Sequence, residues 1–453
     1  MILIAVDEAT ARRLQWLIEE REWEELEKEI AKLHPHDLSE FVQSLKDEQR
    51  RQVLTRLSPK LVAQFLPELK DEIQAELLEL LPPRAAAELL LYLQPDERAD
   101  VLSLLSPEVR QAIMQYMPEK LRKEARALLR HPSDSAGGLM TTRVLALPKD
   151  MTVEEAVRFI RRHAGEYETI YYLYVVDEKG KLVGVLSLRE LVLAPGKRKL
   201  GEVMNPDVIA VPLEMDQEEV AKIVADYDLA AVPVVDKDGK LAGLVTVDDV
   251  VDVIEEEIVE DMGQIAGTGV GVDRLIEAPA LEVVKARLPW LLVALLGDGL
   301  VAASILKRFE ETLASVVALS LFVPAIMTMG GNVGLQTSTI FIRGLATKEI
   351  NDRLRYLMRE IRIGITMALL AGVAVAVFAQ LIVGKAVIGL IVGIAMFAAM
   401  SLASIMGVVI PWIFEKLNID PAIASGPFMT TTQDITGLVV YFTLASLLLQ
   451  QLG

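Results

Sequence analysis

Five apolar stretches fill the C-terminal part of this chain, at about 288–306, 313–342, 363–383, 386–414 and 423–449. Each is long enough to cross the hydrocarbon core of a bilayer as a helix. Hydrocarbon offers no partner to a bare N–H or C=O, so such stretches fold as helices packed on one another. That constraint divides the chain near residue 287. From Arg287 onward, 11 basic and 9 acidic residues nearly cancel, so of the whole chain's net charge of −18 the part that precedes it carries −20. A soluble part this acidic repels phosphate, which argues against nucleic acid as a partner, and it attracts cations. The chain has no cysteine, and His34, His36, His131 and His163 are scattered without zinc-type spacing. A bound metal must therefore rely on oxygen ligands, which points to magnesium, calcium or manganese rather than copper or zinc. The N-terminal residues, with Asp7 and Glu8 close behind, are too short and too acidic for a signal peptide.

Ahead of the spans, Pro35, Pro59, Pro83 and Pro107 recur every 24 residues, with Asp47, Asp71 and Pro95 midway between them. Ser58 and Ser106 precede their prolines, the Ser–Pro pairing favoured at the start of a helix. The pattern predicts paired short helices stacked into an all-α superhelical array over 11–130, read as a docking or regulatory surface.

The next region contains one unit twice. Tyr172 to Val192 returns as Ala231 to Val251, with Asp177, Gly180, Gly184 and Ser187 mapping onto Asp236, Gly239, Gly243 and Thr246. Each copy reads as helix, apolar strand, Asp-x-x-Gly hairpin, strand and helix. The pair, at 137–200 and 201–257, resembles the α/β tandem cystathionine-β-synthase-type (CBS) domain. Such pairs often bind adenine nucleotides, and their Thr/Ser-x-x-Asp element is matched here by Thr246 and Asp249. The first copy has Ser187 and Glu190 instead, one methylene longer, so ATP binding and a purely structural pair both stay open.

Eight carboxylates crowd the segment from Asp248 to Asp261, and no Lys or Arg occurs between Lys240 and Arg274. On one helix, Asp248/Asp252, Asp252/Glu256, Glu256/Glu260 and Glu257/Asp261 are like-charge neighbours, each costing roughly 0.2–0.5 kcal/mol. Divalent cations bridging this face to another acidic surface would reverse that penalty. Asp96 and Asp100, one turn apart, offer one such surface; Glu218, Glu219, Asp226 and Asp228 offer another. A solvated acidic helix is the plainer alternative.

Within the spans, Asp434 stands among Thr430, Thr431, Thr432 and Thr436, with Gly426, Pro427 and Gly437 nearby. A carboxylate at membrane depth costs about 2.5–3.5 kcal/mol on insertion scales, so it should face a cavity, a partner or an ion. It reads as the wall of a path for a hard cation, or else as a buried acid bonding a kinked helix. Asp298 is a second acid in this region, facing either the path or a neighbouring helix. The run Met329 to Thr339, with Gly330, Gly331, Gly334, Asn332 and Gln336, predicts an interrupted helix that lines a cavity or packs closely against a neighbour. The basic connection 343–362 should be cytoplasmic, placing the N-terminal domains inside and the C-terminus outside after five crossings.

Helical array, CBS pair, acidic linking helix and five spans, in this order, resemble the MgtE family of magnesium channels over nearly the whole chain. The most specific matches are GGNVGLQT (Gly330 to Thr337), IRGLAT (Ile342 to Thr347) and DPAIASGPFMTTTQDITG (Asp420 to Gly437). The resemblance implies a multi-domain homodimer in the plasma (inner) membrane, surrounded by lipid, importing Mg²⁺ through a pore on its two-fold axis. It implies an acidic linking (plug) helix at 258–286 and an all-α pore domain at 287–453. It carries pore roles onto Asn332, Gly426, Thr430 and Asp434. It carries regulatory Mg²⁺ binding onto Asp96, Asp100, Glu218, Asp228, Asp249, Asp252, Glu257, Glu260 and Asp261. Two departures appear: Gln64 stands where some relatives have an acid, and Leu229 where relatives can stack an aromatic on adenine, which with Glu190 weakens the case for ATP. A membrane metalloprotease would need an HExxH-type site, yet no histidine follows His163. A non-conducting metal sensor, or transport of Co²⁺, Mn²⁺ or Ca²⁺, remain the other readings.

Overall fold

The computed structural model describes residues 8–452 except 168, 267, 269–274, 277, 311–315, 347–349, 351, 418 and 425. They divide into two compact units, Met1–Ile254 and Glu255–Gly453.

The first unit opens with ten short helices: α1 (Glu8–Glu19), α2 (Trp23–Ile30), α3 (Pro35–Ser44), α4 (Asp47–Arg56), α5 (Pro59–Val62), α6 (Asp71–Leu80), α7 (Pro83–Leu90), α8 (Pro95–Ser103), α9 (Pro107–Tyr116) and α10 (Glu119–Leu128). Proline at the first helical position costs no hydrogen bond there, which is why α3, α5, α7, α8 and α9 start on it. One leucine-rich core runs through the array from Leu14 to Ala125.

After α11 (Ala136–Leu139), the repeats follow as β1 (Ala146–Pro148), α12 (Val153–His163), β2 (Tyr172–Val176), β3 (Leu182–Ser187), α13 (Leu188–Leu193) and α14 (Leu200–Val203), then β4 (Val211–Pro212), α15 (Gln217–Asp226), β5 (Ala231–Val235), β6 (Leu241–Thr246) and α16 (Val247–Ile265). Each copy has a short parallel strand ahead of its helix that the repeat pattern does not reveal, giving sheets β1-β2-β3 and β4-β5-β6. Both hairpins carry an irregularity at matched positions, Val175/Val176 and Val234/Val235. Their turns are built alike: Asp177 Oδ1 accepts from the Lys179 and Lys181 amides, and Asp236 Oδ1 from those of Asp238 and Lys240. The helical array docks on the second copy, because Ala99 and Leu128 share one buried cluster with Val220, Val232, Val250 and Val253.

The acidic helix differs from the expected 258–286. It begins at Val247, directly after β6, and ends at Ile265. Then come α17 (Ala280–Ala294), a π-helical turn (Leu295–Val301), α18 (Ala302–Arg308), α19 (Val323–Ala346), α20 (Arg353–Val383), α21 (Ala386–Lys416) and α22 (Gly426–Leu452). Among the described residues, five spans are long and apolar enough to cross a membrane: Ala280–Arg308, Val317–Leu345, Arg353–Val383, Ala386–Lys416 and Pro421–Gln451. Asp298 lies in the π-helical turn, and its side chain falls outside the described residues.

The interruption expected at Met329–Thr339 is absent, since α19 is continuous from Val323 to Ala346. Of its glycines, Gly334 serves helix packing. A Cβ at Gly334 would lie 2.7 Å from Gln433 Nε2, so only glycine lets α19 approach α22 this closely. Each glycine costs about 1 kcal/mol of helix propensity. In an apolar span the helix survives that cost because its backbone has no other hydrogen-bond partner.

Candidate metal centres

In the first unit the site is built around α8. Gln94 and Glu97 form a capping box at its start, which sets Asp96 in the first turn. Arg98, fully buried, donates to the carbonyl of Leu90 (2.8 Å), which ends α7, and to that of Leu93 (2.7 Å) in the turn beyond it, and pairs with Glu124 at 3.1 Å. Glu124 in turn accepts from Thr142 Oγ1 at 2.8 Å, and Arg143 donates to Gln94. This network ties the end of the helical array to the start of the CBS pair and leaves Asp96 only 7 % exposed.

Asp96 Oδ1 is buried without a hydrogen-bond partner. Burial pushes the Asp96 carboxyl up to about 6. Asp249, near the start of α16, is pushed up to about 7, by burial first and then by the negative charges of Asp96 and Asp248; the bond from Thr246 only partly offsets this. Glu97 is raised too, by burial and then by Asp249. Two or three carboxylates thus face one another with little water to screen them, while Arg98 and Arg143 supply the cationic charge that lowers Glu97. Such a cluster either holds protons or accepts a cation, and the orphaned Asp96 oxygen fits the latter. Among the described residues no three Asp, Glu, His or Cys side chains form a ready-made metal cage. A cation here would keep part of its water shell, as magnesium does.

The structure brings Asp96, Glu97 and Asp249 together. Asp100, Asp252, Glu218 and Asp228 are exposed, and Asp228 takes a left-handed backbone (φ 51°) just after α15. Glu97 was missed in the sequence, where it reads as an ordinary capping residue. Thr246 and Asp249, expected at a nucleotide, bond each other and turn to the helical array. The cleft between the two CBS copies, about 230 Å³, is lined instead by Tyr172, Ser187, Glu190, Asn205, Leu229 and Pro233. There Glu190 accepts from the Ser187 amide (2.8 Å) and hydroxyl (2.7 Å), which holds its carboxyl below the usual range.

The second unit contains the other half of α16. Glu260 is exposed, and Glu257 and Asp261 are half-buried. Asp261 is pushed up by burial, then by Asp420 and Glu260, while Arg343 opposes the shift. Asp420 is a second overlooked acid; its Oδ1 accepts from the Ala422 amide at 2.8 Å and so shapes the loop ahead of α22. Gly426, with φ +54°, begins α22, and a Cβ there would lie 2.3 Å from the Ile265 carbonyl. The end of the acidic helix therefore presses on the first turn of α22, with Thr430 and Asp434 one and two turns beyond.

Asp434 is half-buried and Thr430 exposed, on one face of α22. Across from them is Gly331 of α19, where a Cβ would lie 3.7 Å from Thr430 Cγ2 and 3.9 Å from Asp434 Oδ1. Gln433, 2 % exposed, donates to the Ala403 carbonyl at 3.2 Å, which fixes the rotation of α22 and turns the adjoining Asp434 away from the α21 contact. On α19, Thr328, Asn332 and Gln336 are exposed at helical spacing, while Ile326, Val333, Thr337 and Phe341 are buried. A polar stripe on an apolar span is costly against lipid, so it calls for water or a polar partner.

Comparison with known proteins bears on these sites. Residues 323–444 match the model of the MgtE family, described as a divalent cation transporter. Residues 33–134 match the MgtE intracellular N domain, and 136–197 and 200–256 match the CBS domain. The chain is 42 % identical over 339 residues to the magnesium transporter MgtE of Thermus thermophilus, covering 73 % of this chain and 74 % of that one. It is 39 % identical over 332 residues to the magnesium transporter MgtE of Bacillus subtilis, covering 73 % of each. Among solved structures, the cytosolic domain of the Mg²⁺ channel MgtE in complex with ATP is 46 % identical, with a TM-score of 0.52, covering 54 % of this chain and 99 % of that one. The soluble part of a magnesium transporter is 33 % identical, with a TM-score of 0.51, covering 55 % and 98 %.

Proposed function

Because this chain belongs to the MgtE family of divalent cation transporters, we propose that it is a Mg²⁺ channel of the plasma (inner) membrane, working as a homodimer with Asp434, Thr430, Gly426 and Asn332 of each copy along the pore. The observation that carries this reading is the pairing of Asp434 and Thr430 on one face of α22 opposite the side-chain-free Gly331. Mg²⁺ sheds its water reluctantly. Two carboxylates across a two-fold axis, with hydroxyls and amides nearby, attract a hydrated ion through its water shell and need not strip it. Curated relatives are transporters, and the chain is read as one, with no reaction assigned to it.

Closure by internal Mg²⁺ follows from the acidic surfaces. Mg²⁺ at Asp96, Asp100, Glu218, Asp228, Asp249, Asp252, Glu257, Glu260 and Asp261 relieves their mutual repulsion and holds the closed arrangement. When Mg²⁺ is scarce the repulsion returns and the gate is released. This places the soluble unit in the cytoplasm, where the basic 343–362 connection also belongs, and the C-terminus outside. The cleft at Tyr172, Ser187 and Glu190 is assigned to an adenine nucleotide, supported by the ATP complex of the similar cytosolic domain.

Purified full-length protein in proteoliposomes tests the reading. Mg²⁺ influx should fall to background in Asp434→Ala, and high lumenal Mg²⁺ on the side of the soluble unit should close the wild type. Unchanged flux in Asp434→Ala refutes the pore; equal flux of Co²⁺, Mn²⁺ or Ca²⁺ refutes Mg²⁺ as the chosen ion.

A further inference from the structure

One face of α20 is used by neither the pore nor the gate. Arg355, Arg359 and Arg362 follow one another at helical spacing and are all exposed. Among the described residues none of the three forms an ion pair, whereas Arg353, two residues before them, is bound to Glu415 on α21. Arg359 lies 6.0 Å over the Tyr356 ring, and Arg362 Nε donates to the Met358 carbonyl at 3.2 Å, which leaves its terminal nitrogens available. Beside them Lys416 lies 4.6 Å over the Trp412 ring at the end of α21. Trp, Tyr and basic side chains gather in this way where a span meets the membrane surface.

Beyond the arginines the same face turns apolar. Leu369, Leu370, Val373 and Val377 are 55, 68, 58 and 54 % exposed. At 1.5 Å per residue, Arg362 to Val373 spans roughly 16 Å, close to one leaflet's share of a hydrocarbon core about 30 Å thick. The opposite face is committed to protein. Glu360, 7 % exposed, accepts from Thr337 Oγ1 of α19 at 3.1 Å, and Ser404 of α21 donates to the Glu360 carbonyl at 3.3 Å. A cationic fork above an apolar track one leaflet long matches a molecule with an anionic head and an acyl tail.

We propose that Arg355, Arg359 and Arg362 bind the phosphate headgroup of an anionic phospholipid whose acyl chain lies along Leu369, Leu370, Val373 and Val377. Guanidinium groups suit this role because their donors match phosphate oxygens in pairs. Membrane surfaces rich in anionic lipid reward clustered basic residues at this depth. Because Glu360 on the other face of the same helix clasps α19, the bound lipid sits behind the helix that carries the Thr328–Asn332–Gln336 stripe.

Native mass spectrometry of the full-length protein, exchanged into equimolar phosphatidylglycerol and phosphatidylcholine, tests the site without relying on transport. The wild type should retain phosphatidylglycerol at least about fivefold over phosphatidylcholine, and millimolar inorganic phosphate should not displace it. The Arg355→Gln/Arg359→Gln/Arg362→Gln variant should fall to near parity, with the single Gln variants between. Parity in the wild type, undiminished preference in the triple variant, or displacement by inorganic phosphate would each overturn the assignment. So would a changed number of chains per assembly in the triple variant, which would make this face a contact with a second copy.

Discussion

Two carboxylate sites in this molecule are built on opposite terms. In the soluble unit Asp96 and Asp249 are like charges pressed together away from water, one with an oxygen that lacks any partner. In the membrane unit Asp434 is half-open, with a threonine on its own face and a glycine across from it. The first arrangement is destabilised until something positive arrives, so it suits a switch. The second offers a half-exposed carboxylate beside a hydroxyl, so it suits passage.

The largest effect should come from removing the charge proposed to serve passage. Asp434→Asn keeps the shape and loses the anion; Mg²⁺ influx in proteoliposomes should drop by at least about a hundredfold, and a variant within twofold of wild type would erase the contrast. Asp96→Asn/Asp249→Asn should do the reverse. Removing the repulsion should protect the soluble unit from protease in the absence of Mg²⁺. It should also abolish most of the Mg²⁺-induced rise in thermal stability, which for a saturating ligand at a hundred times its Kd is about 2.7 kcal/mol. Persistent full protection by Mg²⁺ in the double variant would move the switch to other carboxylates.

A pH series sharpens the same contrast. Asp96 and Asp249, raised from the ordinary 3.8 to about 6 and about 7, hold protons more tightly folded than unfolded. Their contribution to stability is complete below about pH 4 and disappears as pH climbs through 6 to 7. Metal-free protein should therefore melt at a lower temperature at pH 8 than at pH 5, after correction with the Asn pair, and Mg²⁺ should restore the difference at pH 8. A flat profile would show that the two acids are not coupled to folding. The smallest effect is expected in the nucleotide cleft. Leu229→Phe should tighten ATP binding by up to about tenfold in calorimetry, since stacking a base on an aromatic ring contributes about 1–3 kcal/mol. No change would mean that Leu229 is not beside the base.

Much of the architecture was legible because it repeats. Proline every 24 residues marks helix starts that cost no hydrogen bond, and the matched Asp-x-x-Gly turns mark two hairpins. The short strands β1 and β4 escaped notice, being three and two residues long, with too little sequence to show alternation. The glycine-rich run of α19 is legible as special, but glycine permits both a broken helix and a close contact; the continuous helix and the Gln433 side chain against Gly334 decide for the contact. The Thr-x-x-Asp element of the second CBS copy forms a cap whose Asp249 also faces Asp96 of the helical array. A capping motif has the same spacing whether it faces a ligand or a neighbouring domain.

By itself, then, the sequence determined that this is a membrane-spanning chain with an acidic soluble half, a duplicated unit and two carboxylates, Asp298 and Asp434, in apolar runs. These follow from local hydropathy, charge and periodicity, each a property of neighbours along the chain. Only the tertiary structure decided that Asp96 meets Asp249, that the acidic helix ends on Gly426, and that Asp434 looks across at Gly331. Those pairings join residues far apart in the chain, where burial and mutual charge act and periodicity carries no information.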